Sequence, residues 1–156
     1  PDRMPERSLI EAVAEAGTYA PTGRGAQSPL IVAVTLKAVR DRLSELNAAV
    51  MGTEADPFYG APVVLVVLAD RTRPTYLYDG SLVMGNLMNA AHASDWAAAG
   101  FTAPRGVRQR GRQGHAARMG IEGDYEGIGH CVLGYPREGA VREAAPRKDD
   151  YVRFVE

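Results

Sequence analysis

A chain of 156 residues, 46% of them apolar, is long enough to bury the core of about one domain. Its formal charge of −1 gives no overall attraction to nucleic acid. No apolar run approaches the roughly 20 residues that span a bilayer, no signal-peptide pattern opens the chain, and the lone Cys131 excludes an intrachain disulfide framework and suits a reducing cytoplasm.

Elements alternate along the chain. Residues 5–17 are amphipathic: within 8–16, Leu9, Ile10, Val13 and Ala16 share one helical face, and Gly17 stands where a C-terminal cap would. A Pro/Gly/Ser/Thr-rich loop, TYAPTGRGAQSP over residues 18–29, leads into a short strand at 30–35. Residues 37–50 place Val39, Leu43, Leu46 and Val50 at three- and four-residue spacing, a helical pattern. The run 63–69 is too continuously apolar for a half-exposed strand and is expected at the centre of a sheet. Residues 79–91 read as a helix in which Leu82, Val83, Gly85, Asn86, Met88 and Asn89 pack closely, and 127–133 as a second buried strand. The tail 149–155 is apolar and extended, with Tyr151, Phe154 and Val155; taken alone it reads as an edge strand folding back on its own sheet. The pattern is α/β or α+β, with helices covering a sheet and no internal repeat or linker.

Residues that carry chemistry are few. In the loop 18–29, Gly23 and Gly25 permit close backbone approach to a ligand, while Arg24 and Gln27 can donate hydrogen bonds. The alternative is a helix–strand connection that needs turn residues. His92, His115 and His130 are too scattered for a metal site; His92 ends a helix, where a cation suits the dipole, and His130 reads as a core histidine. Cys131, inside an apolar run, reads as an inert thiol. Gly127-Ile128-Gly129 lacks the third glycine of a dinucleotide fingerprint and lies inside a strand, which excludes a Rossmann reading. Arg147 and Lys148 can bind a phosphate or form a solvated pair beside Asp149 and Asp150. No general acid, base or nucleophile stands out.

The segments TYAPTGRGAQSP, NAAVMGTEADPFYGAP, DGSLVMGNLMNAAH, GIEGDYEGIGHCVLGY and APRKDD occur in an order that resembles the FMN-dependent nitroreductase family, closest to its small, insertion-poor members. The resemblance implies an α+β sandwich over 1–156, with a central, mostly antiparallel sheet flanked by helices and a domain-swapped C-terminal arm. It implies a homodimer with FMN at the two-fold interface, NAD(P)H as co-substrate, and an electron-poor acceptor such as a nitroaromatic or quinone. Because flavin carries the electron chemistry, no catalytic side chain and no metal is required. Matched residue by residue, Thr22, Gly23 and Gln27 face the flavin across the interface, Gly100 and Phe101 lie on sheet backbone against its ring, Arg147 and Lys148 hold its phosphate, and Arg24 lies toward the substrate. A reading of another class is a degenerate relative, a flavin-binding or structural dimer without catalysis.

Two stretches depart from the family pattern. The Arg-Arg-Ser-x-Arg motif expected near the start does not occur, residues 1–6 look like the stretch just after it, and Arg3 and Arg7 do not replace it by position. Residues 93–114 read ASDWAAAGFTAPRGVRQRGRQG in place of a Gly-Leu-Gly-Ser-x-Trp-like text. A one-base shift of reading frame over 94–105, with permitted codons, can restore such a text; the alternative is a divergent basic loop. The Arg run at 105–112 has no aromatic interleaving and does not read as a nucleic-acid contact.

Overall fold

The computed structural model describes residues 3–94, 97–102, 120–136, 138–139 and 144–155, the 97–102 stretch by its backbone. In chain order the elements are helix α1 (Arg7–Thr18), a 3₁₀ turn (Gly23–Gly25), strand β1 (Leu30–Val34), helix α2 (Lys37–Met51), strand β2 (Val63–Asp70), helix α3 (Tyr76–Ala93), strand β3 (Ala97–Thr102) and strand β4 (Tyr125–Gly134). The four strands form one sheet in the order β1-β2-β4-β3, and every neighbouring pair is antiparallel. This is the α+β architecture expected from the sequence, with β2 and β4 central.

The unbroken apolar run of β2 is explained by its two covered faces. Val63, Leu65, Val67 and Ala69 meet α1 and α3 through Ile10, Val13, Val83 and Leu87. Val64, Val66 and Leu68 meet Leu43 of α2 and Phe58 on the other face. A strand in this position has no polar side to show.

β4 follows the same alternation until Gly127-Ile128-Gly129. Val67 pairs with Gly129 and Leu68 with Gly127, so Ile128 is the extra residue of a β-bulge. The bulge shifts the phase and places Ile128 in the same core as Cys131 and Leu133. A Cβ on Gly80 would lie 2.6 Å from Ile128 Cγ1, so α3 can settle on the bulge only with glycine there. The glycines of this stretch serve a strand irregularity, and the stretch is no strand-to-helix turn.

Three local expectations need correction. Gly17 is not a left-handed cap: α1 continues to Thr18, and Gly17 is the point where α1 meets its neighbours, its missing Cβ site lying 2.6 Å from Leu87 Cδ2 and 2.8 Å from Ile31 Cδ1. In α2 the buried face is Arg40, Leu43, Ser44, Asn47 and Ala48, while Val39 and Val50 are exposed. Arg40 and Ser44 go inward because they bind the chain that follows, while Asn47 donates to the Leu43 carbonyl of its own helix. Arg40 donates to the carbonyl of Ala61 (2.9 Å) and to Asp56, and Ser44 donates to Asp56. In α3 the buried residues are Asp79, Gly80, Val83, Met84, Leu87 and Ala91, whereas Leu82 is 46% exposed and Asn89 is also exposed.

The tail residues Tyr151, Val152, Phe154 and Val155 are all exposed and add no strand to the sheet. The edge-strand alternative for the tail is therefore not what this chain adopts on its own.

Candidate flavin-facing loop

The loop between α1 and β1 is short of regular structure but heavily pinned. Gly25 and Ala26 donate to the carbonyls of Thr22 (2.9 Å) and Gly23 (3.2 Å), closing the 3₁₀ turn. The Gln27 N–H donates to Thr22 Oγ1 at 2.9 Å, which closes the loop on itself. Three residues sit at positive φ: Arg24 at 56°, Gly25 at 64° and Gln27 at 47°. Glycine adopts this region freely, but arginine and glutamine do not, so the anchors must hold them there.

The deepest anchor is Asp79. It lies in the first turn of α3 and is 2% exposed. One carboxylate oxygen accepts the Gly23 N–H at 2.9 Å, and the other accepts the Thr75 hydroxyl at 2.9 Å. The helix N-terminus favours the negative charge. A Cβ on Gly23 would fall 2.2 Å from Thr75 Oγ1, so only glycine lets the loop approach α3 this closely. The α1 end of the loop is tied down as well, because Asn86 of α3 donates to the carbonyl of Ala16 at 3.2 Å.

What the loop shows to solvent is a donor surface. Thr22 is half-buried, and Arg24, Gly25 and Gln27 are exposed, with nothing within 4 Å of the place a Gly25 Cβ would take. Beside it lies a cleft of about 370 Å³ walled by Ala14 and Thr18 of α1, by Thr22 and Gln27, and by Leu30 and Ile31 of β1. Its size and mixed lining are those of a small-molecule site.

The structure brings Thr22, Gly23, Arg24 and Gln27 together in this one loop. Gly100 and Phe101 lie in the edge strand β3, opposite Cys131 and His130 of β4. Arg147 and Lys148 are exposed on the tail; Lys148 lies 3.5 Å from Asp150 and 5.6 Å from the Tyr151 ring. Among the described residues no hydrogen bond or ion pair links Arg147 or Lys148 to the loop. His115 and the basic run 105–112 lie outside the described residues. His92 is exposed in the last turn of α3, and His130 is buried with its ring 5.4 Å from that of Phe58. Burial pushes the Cys131 thiol up to about 12, as an inert core residue requires. Among the described residues no cluster of His, Cys, Asp or Glu can hold a metal.

Sequence reasoning missed Asp79 and Thr75. An Asp in the first helical turn is an ordinary dipole partner, and its bond to Gly23 spans 56 positions. The only available signal was the glycine itself, whose need for space implied a close neighbour.

No protein-family model and no curated protein sequence matches the chain. Solved structures do. A nitroreductase with bound FMN from Desulfitobacterium hafniense superposes with a TM-score of 0.84 at 22% identity, over 100% of this chain and 90% of that one. A nitroreductase with bound FMN from Bacteroides fragilis gives 0.80 at 20% identity, over 100% and 91%. Iodotyrosine deiodinase bound to FMN and 3-iodo-L-tyrosine gives 0.76 at 15% identity, again over 100% and 91%. Over its whole length the chain thus follows one architecture with these proteins: it has the nitroreductase fold.

Proposed function

We propose that this chain is a member of the nitroreductase family, a single domain over 1–156 that works as an FMN-dependent oxidoreductase. The observation that carries this reading is the loop 22–27, a pinned, exposed donor surface that the sequence resemblance matches to the family's flavin-facing loop, in a fold shared with nitroreductases solved with bound FMN.

The residues present fit that cofactor. The Gln27 amide and the Arg24 guanidinium are exposed donors, suited to the carbonyl and nitrogen acceptors of a flavin ring and to a bound acceptor. Gly25 leaves the loop open to close approach. Arg147 and Lys148 are exposed cations suited to a phosphate, and the β3 backbone at Gly100 and Phe101 offers a sheet edge against the ring. When bound, FMN supplies the hydride and single-electron chemistry. The chain binds and orients. Asp79 fixes Gly23 and so the loop, Thr22 fixes Gln27, and the cleft beside them offers room for an acceptor.

The site is read as shared by two subunits in a homodimer. Supporting this, α3 exposes Tyr78 (73%) and Leu82 (46%), and Gly85 on the same helix has nothing within 4 Å of its would-be Cβ. The tail exposes Phe154 and Val155 almost fully, the behaviour of an arm that covers another subunit. Such an interface should exceed roughly 2,000 Å² in total. NAD(P)H is the proposed electron donor, a nitroaromatic or quinone the acceptor, and a reducing cytoplasm the setting that suits the free, buried Cys131. No described helix is long and apolar enough to cross a membrane.

The test is anaerobic. Protein loaded with FMN should lose its flavin colour on addition of NADH or NADPH and regain it on addition of a quinone or nitroaromatic. A protein that binds FMN but responds to neither nucleotide would favour the non-catalytic dimer instead.

A further inference from the structure

We propose that Arg24 selects acceptors that carry an anionic group, so that the substrates of this site are acidic aromatics such as carboxylate-bearing nitroaromatics or quinones. The inference rests on the oxidoreductase reading and names the acceptor class within it. Most other described cations have local partners: Arg40 holds Asp56, Arg71 holds Asp124, Lys148 holds Asp150, and Arg3 lies over the Tyr135 ring, with Arg147 of the tail an exception. Arg24, among the described residues, has no carboxylate or aromatic partner and is exposed.

Its backbone makes this more than an ordinary surface arginine. Arg24 stands at φ 56°, ψ 23°, inside a 3₁₀ turn whose other dihedrals are ordinary or belong to glycine. An L-residue avoids that region unless its surroundings impose it. Here they do: the Gly23 N–H is held by buried Asp79, and the Gly25 N–H by the Thr22 carbonyl. A guanidinium on a fixed base forfeits less freedom on binding than one on a mobile loop. Its planar fork is always charged and matches a carboxylate with two parallel hydrogen bonds. The loop thus presents one preorganised anion receptor beside a cleft of mixed lining, in which Ala14, Pro29, Leu30 and Ile31 are apolar and Glu15 is the one carboxylate. An aromatic ring in that neighbourhood with a carboxylate at one end satisfies both features.

Two measurements decide it. First, FMN-loaded protein reduced anaerobically with dithionite is mixed with 4-nitrobenzoate or with neutral 4-nitrobenzamide, and flavin reoxidation is followed for wild type, Arg24→Gln and Arg24→Lys. Arg24→Gln should slow 4-nitrobenzoate at least about tenfold more than 4-nitrobenzamide, and Arg24→Lys should restore part of the difference. Comparing each acceptor with itself across variants cancels their intrinsic reactivities. Second, titration of the oxidised, FMN-loaded protein with 4-nitrobenzoate, read by flavin absorbance, should show the dissociation constant rising about tenfold in Arg24→Gln and rising with salt in wild type. Equal responses to both acceptors, with an unchanged dissociation constant, would overturn the anion-receptor role and leave the oxidoreductase reading standing. No reoxidation by either acceptor in wild type would overturn the anion-receptor role, and none by a neutral quinone as well would overturn both.

Discussion

Asp79 and Asp56 are two carboxylates that the fold uses in opposite ways, one to set the loop and one to lock the back of the sheet. Replacing Asp79 with Ala leaves the Gly23 N–H and the Thr75 hydroxyl without their acceptor in a buried place. The expected cost is about 1–3 kcal/mol in urea unfolding, together with weaker FMN binding, because the loop loses its fixed end. A variant with full stability and unchanged flavin affinity would show that Asp79 does not position the loop. Burial pushes the Asp56 carboxyl up, but bonds from Arg40, Ser44 and the N–H groups of Phe58 and Gly60 outweigh it and bring it from 3.8 down to about 2. A depressed pKa contributes stability that is present above the unfolded value and lost as pH falls through the folded one. Wild type should therefore lose stability between about pH 4 and pH 2, and Asp56→Asn should lose less across that window; the two titrations of unfolding free energy coinciding would contradict it. The Thr22–Gln27 loop was legible in the sequence because glycine, proline and a cation punctuate it. Asp79 was not, since nothing in a linear text ties it to a glycine 56 residues away.

At the scale of elements, the contact between α3 and β4 depends on one small residue and one irregularity. Gly80 faces Ile128, the residue displaced onto the helix side by the bulge. Gly80→Ala should destabilise the protein by about 1–2 kcal/mol, since overpacking against a buried β-branched side chain outweighs the helix propensity gained. A shift of the urea midpoint to higher concentration would refute this account of the bulge. Helix and strand identities were legible from Ile10 and Val13 in α1 to the run of β2, because their periods are unambiguous, whereas the alanine-rich β3 has no such period and was reached only through the family resemblance. Which face turned inward was less so. In α2 the apolar residues Val39 and Val50 suggested one stripe, but the Arg40–Asp56 pair and the Arg40 bond to Ala61 turned a more polar face to the core. Hydropathy does not register a polar residue that enters the core with its partner. The bulge was hidden for a related reason: Gly127 and Gly129 look alike whether they serve a ligand or a strand distortion, and only pairing with Val67 and Leu68 distinguishes the two.

For the whole molecule, the account joins a known fold to a site read as assembled from two chains. The fold came through in the order of short segments, each weak alone, although no family model matches the chain. In one chain Arg147 and Lys148 are exposed on the tail with no bond to the loop among the described residues, and the two-chain proposal is what would bring them to it. The central claim is that this sequence binds FMN as a dimer, and it is tested most directly by one gel-filtration run with multi-angle light scattering and visible absorbance, on protein incubated with excess FMN at micromolar concentration. The account predicts a single peak at twice the chain mass carrying flavin absorbance at about one FMN per chain. A colourless peak at the mass of one chain would contradict it.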